Sequence, residues 1–177
     1  MIQAKRAAFS GVIAALCVAF MFMGSLFSIF VYFIPAACGV IIMTAAYALG
    51  EKYGYCIYLV VAALSALFVP DKECMMIFVF FFGFYPLLRD RLEAIKPRPV
   101  SFLIRFLIFN ACVIGAEYLL FRIFGINILE DGFGKWFLPV MLVMMNLFFV
   151  IYDFVLGKFK ILYFLKWKRR VDRLMKK

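Results

Sequence analysis

The sequence predicts an all-α integral membrane protein, a six-transmembrane-helix bundle with both termini cytoplasmic. Three observations point there. Hydrophobic residues make up 68% of the 177 residues, against about 45–50% in a soluble domain, and a small soluble domain cannot hide that excess. Residues 7–50 run for 44 positions without Asp, Glu, Lys or Arg. As one helix this stretch would be about 66 Å long, roughly twice a ~30 Å hydrocarbon core, so it reads as two spans joined by a turn. The third observation is charge placement. With six spans, 17 Lys and Arg fall on the side of the N-terminus and 3 (Lys72, Arg122, Lys135) on the other. Basic residues gather on the cytoplasmic side of membrane proteins. Five spans would put the basic tail outside and spoil that asymmetry.

The elements follow in order. The first span is expected over residues 6–24. Lys5 and Arg6 precede it, but the apolar run is far longer than the ~7–15 residue core of a signal peptide. The turn falls at residues 24–28, where Gly24, Ser25 and Ser28 interrupt the run. The second span covers residues 29–49, with a kink or loosened turn expected at Pro35. Gly50-Glu51-Lys52-Tyr53-Gly54 reads as a short polar reversal eased by two glycines. Spans three and four, residues 55–69 and 74–88, are short, so flanking residues extend them or they lie upright in a thin region; a re-entrant pair is the alternative. Three charges in the turn between them (Asp71, Lys72, Glu73) favour full spans. In the polar insertion that follows, Arg89 and Glu93 are four apart and pair on a helical turn, which Pro97 and Pro99 end. The fifth span covers 102–124, a polar loop 127–135, and the sixth span 136–156. Residues 1–157 thus form the transmembrane domain. Residues 158–177 form a basic amphipathic cytoplasmic tail whose apolar side chains suit a helix lying on the anionic inner leaflet.

The composition also excludes functions. The net charge of +10 sits at the ends of apolar runs, which argues for membrane orientation and against nucleic acid. There is no His, no CxxC among the five cysteines, no phosphate loop after a strand, and no carboxylate pair spaced for a metal. The expectation is a non-enzyme with no cofactor and no metal site. The cysteines read as small buried hydrophobes.

Polar groups inside a bilayer are candidates for function. Asn110 and Glu117 are seven apart in the fifth span, and Asn146 and Asp153 repeat that spacing in the sixth, so each pair shares a helix face. Glu117, Asn146, Asn110 and Arg122 form the candidate ligand-binding set in the middle to outer membrane. The alternative for the asparagines is an inter-helix hydrogen bond of about 0.6–2 kcal/mol. Asp153 lies near the cytoplasmic end and is expected to pair with Lys158 or Arg105. In the first span, Gly11, Ala15 and Ala19 form a stripe of small residues that lets another helix approach closely, whether from this chain or a partner.

Two of these features carry a family resemblance. The small-residue stripe in the first span, with Ala15 and Ala19 matching an AxxxA element, and the Gly50–Gly54 turn resemble the substrate-binding S components of energy-coupling factor (ECF) transporters, bacterial micronutrient importers. The resemblance implies that Gly11, Ala15 and Ala19 dock on a transmembrane coupling subunit driven by ATPases. It also implies that a small-molecule ligand sits in the outer half of the bundle near Glu117, Asn146 and the turn at residues 24–28. The implied location is the bacterial plasma membrane, as a multi-pass protein in contact with lipid. The chain also resembles the rod-shape protein MreD in size and span count, which implies a non-transport scaffold that organises partner proteins.

Overall fold

The computed structural model describes residues 2–27, 31–125 and 137–168, and among these it is all-helical. The order is α1 (Ile2–Ser25), α2 (Phe33–Leu49), α3 (Glu51–Phe68), α4 (Lys72–Ile77), α5 (Tyr85–Glu93), α6 (Arg98–Leu119) and α7 (Phe137–Leu162). A π-helical turn at Phe78–Phe82 joins α4 towards α5, and π turns at Leu120–Phe124 and Tyr163–Trp167 prolong α6 and α7. Four helical stretches are long and apolar enough to cross a membrane: Gln3–Ser25, Glu51–Phe68, Arg98–Phe124 and Leu142–Trp167. Phe33–Leu49 is apolar but shorter, at 17 residues. Large apolar side chains cover the outside, among them Leu67 at 76% and Val143 at 68% exposed. That exterior is compatible with lipid and unlike the surface of a soluble monomer.

α1 buries the stripe Ala14, Cys17, Met21 and Gly24, spaced as one helical face, and packs on α2 and α3. The Cys38 thiol donates to the Cys17 carbonyl at 3.6 Å across that contact. Cys17, Cys38 and Cys74 are buried as the sequence suggests, but Cys56 is exposed. No kink forms at Pro35, because α2 begins at Phe33 and puts the proline in its first turn. There a missing N–H has no helical partner to lose. The reversal after α2 takes one residue rather than five. Gly50 alone leaves the helix, at φ 114°, a conformation that glycine adopts without strain. Glu51 already starts α3, and Gly54 lies inside that helix, buried against Ala46 and Leu87.

The short fourth apolar segment is part of a longer broken rod covering residues 72–93. Asp71 caps its start, accepting from the Glu73 and Cys74 amides at 2.9 and 3.2 Å. Two features break it. In the π turn the Gly83 amide donates to the Phe78 carbonyl at 2.8 Å, which leaves the Val79 carbonyl without its usual helical donor. The Tyr58 hydroxyl on α3 takes that place at 2.9 Å. Pro86, near the start of α5, then offers no N–H to the Phe82 carbonyl four residues back. That carbonyl faces Gly39 of α2, where any Cβ would collide with it.

Around this break lies the aromatic core. Phe81 stacks on Tyr85 with centroids 4.5 Å apart, and Phe109 of α6 stacks on Phe149 of α7 at 4.8 Å. Pro97 and Pro99 do not end the preceding helix. α5 stops at Glu93, and the prolines open α6, with Pro97 as its cap and Pro99 in its first turn. α7 continues unbroken past residue 157 into the π turn ending at Trp167, so the first part of the basic tail is the end of a core helix. The loop 127–135, Ser28 of the first turn and residues 169–177 of the tail lie outside the described residues.

Candidate functional site

Polar side chains collect in three places among the described residues. The first is midway along α6 and α7. Asn110 and Asn146 exchange amide hydrogen bonds at 2.9 and 3.2 Å. Each also donates to a carbonyl one turn back on its own helix, Phe106 at 2.9 Å and Leu142 at 2.8 Å. Two side-chain amides thus use both carbonyls and their N–H donors within the protein, which matches the inter-helix alternative for these residues.

The second place is the end of the bundle where α4 begins. The Tyr32 hydroxyl donates to the Glu73 carboxylate across the α2–α4 contact. Glu117 of α6 lies within electrostatic reach of both. It is half-buried and forms no hydrogen bond or ion pair among the described residues. Arg122, grouped with it in the candidate ligand-binding set, stands exposed in the π turn of residues 120–124, with no ion pair to Glu117. Five residues of separation put the two on different faces of the helix. The enclosed space nearby, bordered by Tyr32, Phe81, Phe109, Ala116 and Phe148, has a volume of about 10 Å³. That holds at most one water, because phenylalanine rings from three elements fill the rest.

The third place is the opposite end, where α5, α6 and α7 meet. Asp153 is buried and accepts three bonds: from the Tyr85 hydroxyl at 2.7 Å, Arg89 Nε at 2.9 Å and Arg105 Nη1 at 2.6 Å. The expected Asp153–Arg105 pair forms; Lys158 instead lies over the Phe154 ring at 5.1 Å. The expected Arg89–Glu93 pair also forms, at 3.1 Å. Lys160 joins Glu93 and Asp90 at 3.3 and 2.9 Å, and the Tyr47 hydroxyl donates to Asp90 at 2.7 Å. The network therefore ties α2, α5, α6 and α7 together. Arg89 and Arg105 are buried with it, which is tolerable only because each guanidinium meets a carboxylate. The sequence could supply Arg105, a lone cation in an apolar segment, as a signal. Tyr85, Tyr47 and Tyr32 gave none, since tyrosine is common in apolar helices.

The stripe on α1 faces away from the other described helices. Gly11, Ala15 and Ala19 are exposed, and a Cβ at Gly11 would meet nothing within 4 Å. Packing among the described residues therefore does not explain the stripe. No group of three or more His, Cys, Asp or Glu among the described residues is placed to hold a metal ion. A comparison of the chain with protein-family models, curated proteins and solved structures finds no match.

Proposed function

We propose that the chain is a six-span plasma-membrane protein with cytoplasmic termini, and that it serves as the substrate-binding subunit of an ECF-type importer. The two spans beyond the four long ones are Phe33–Leu49, about 26 Å long at 1.5 Å per residue, and the broken rod of residues 72–93. The observation that carries the reading is the outward stripe Gly11, Ala15 and Ala19. Small residues facing outward on a membrane helix give a partner helix close backbone approach, which is what docking on a transmembrane coupling subunit requires. Glu117 supports the binding half of the proposal, as a half-buried carboxylate with no partner among the described residues.

A second reading, an MreD-like scaffold that organises partners without carrying a ligand, has its own support. Asn110 and Asn146 satisfy each other, and the enclosed space beside Tyr32 and Phe109 measures about 10 Å³. Docking through α1 serves both readings.

The test is native mass spectrometry of the full chain purified with its membrane partners in mild detergent. The importer reading expects a stoichiometric small ligand that Glu117→Gln removes, and a coupling subunit that Ala15→Trp releases while the helical signal is unchanged. A partner released by Ala15→Trp with no small ligand present selects the scaffold. Association untouched by Ala15→Trp overturns both.

A further inference from the structure

The bonds around Asp153 leave cationic groups over. A groove of about 880 Å³ runs between α5, α6 and α7. Four cations line it (Arg89, Arg105, Lys158, Lys160) against three carboxylates (Asp90, Glu93, Asp153). All three carboxylates are already engaged. Asp153 takes both arginines, and Lys160 takes Glu93 and Asp90. Lys158 meets no carboxylate among the described residues and rests on the Phe154 ring. Arg105 uses Nε on the Ser101 carbonyl and Nη1 on Asp153, so its Nη2 has no acceptor among the described residues. Arg89 likewise keeps Nη2 unmatched, beside Gly157, where a Cβ would stand 3.0 Å from that nitrogen. A second groove of about 850 Å³ shares Arg105 and adds Lys96 and Arg98, both exposed.

The walls of the first groove are apolar. Phe102, Val150 and Phe154 are 40%, 42% and 63% exposed, and they continue the apolar exterior of α6 and α7. The site thus joins surplus guanidinium and ammonium donors to a surface made for acyl chains. We propose that this groove binds an anionic phospholipid, with its phosphate on Arg105 Nη2 and Lys158 and its chains along Phe102, Val150 and Phe154. Guanidinium groups match phosphate geometry, and basic pockets between membrane helices at the cytoplasmic side suit such headgroups. A soluble phosphate would use the same donors but would gain nothing from the apolar wall, so a lipid is the occupant.

The proposal goes beyond both functional readings above and requires only that the chain is embedded in a membrane. The test is native mass spectrometry of the full chain in a neutral detergent. Phosphatidylglycerol and phosphatidylcholine with the same chains are titrated separately, with glycerol 3-phosphate as competitor. The expected result is retention of phosphatidylglycerol at least tenfold tighter than phosphatidylcholine, with no displacement by millimolar glycerol 3-phosphate. Lys158→Gln should weaken it at least fivefold. Lys166→Gln, an exposed lysine outside the groove, should leave it unchanged. Equal retention of the two lipids overturns the proposal, as does equal loss from Lys158→Gln and Lys166→Gln, which would mark attraction to the basic tail alone. Displacement by glycerol 3-phosphate overturns the lipid in favour of a soluble phosphate.

Discussion

Replacing Asp153 with Asn keeps the side-chain shape and removes one negative charge from the centre of the inner network. The carboxylate accepts from Tyr85, Arg89 and Arg105 at 2.7, 2.9 and 2.6 Å. An amide has one oxygen to accept with, and its NH₂ must face at least one of the two guanidinium groups, donor against donor. Both arginine side chains are at most 10% exposed, so water reaching them from the groove offsets only part of the loss. Breaking a buried pair by removing one partner costs about 3–5 kcal/mol. Arg89 keeps Glu93 at 3.1 Å, so the lower end applies. About 3 kcal/mol is roughly a hundredfold in the unfolding constant. The measurement is reversible unfolding of the purified protein in mixed micelles of mild detergent and SDS, followed by far-UV circular dichroism. Adding Arg105→Gln to Asp153→Asn removes one of the two stranded charges, and the double variant should be less destabilised than the sum of the singles. A change under about 0.5 kcal/mol for Asp153→Asn, or strict additivity in the double variant, would refute the reasoning that this carboxylate neutralises two buried cations.

Two further outcomes follow from the packing. Asn110→Leu or Asn146→Leu alone leaves the other amide without its partner across the helix contact, holding only its own backbone carbonyl, and should cost about 1 kcal/mol in the same titration, while the double replacement should cost less than the two together; equal and additive losses would mean the reciprocal bonds carry no coupling. Gly39→Ala would push a methyl onto the Phe82 carbonyl and to 2.5 Å from the Tyr152 hydroxyl, so it should destabilise by about 1–3 kcal/mol. An unchanged midpoint would show that α2 and the broken rod do not approach so closely.

The helical class, the presence of helices long and apolar enough to cross a membrane, and the positions of most helices were legible in the sequence, because they depend on local quantities: apolar run length and helical spacing. The Arg89–Glu93 pair was equally local, four residues apart on one turn. Its extension to Asp153 was half legible. A carboxylate near the end of an apolar segment needs a cation, and Arg105 was one of two named. Arg89 was not, because it lies 64 residues away and already had a partner nearby. The helix boundaries went astray where one residue does the work of several. Gly50 reverses the chain alone at φ 114°, and Pro35 lies in a first turn because α2 starts later than hydropathy suggests.

What the sequence determined by itself, then, is the set of long apolar helices: run length and composition make four of them able to cross a membrane, and that holds whatever the helices touch. The tertiary structure decided what each polar residue is for. Asn110 and Asn146 have the same spacing from an acidic residue in their own helices, but only the approach of α6 to α7 turns them towards each other. Glu117 and Asp153 look alike in sequence, yet one has no partner among the described residues and the other holds two arginines. Gly11, Ala15 and Ala19 could have packed inward or outward with the same periodicity, and it is the burial of Ala14, Cys17 and Met21 against α2 and α3 that turns them out. The physical reason is common to all three: periodicity fixes which residues share a helix face, and only packing fixes what that face meets.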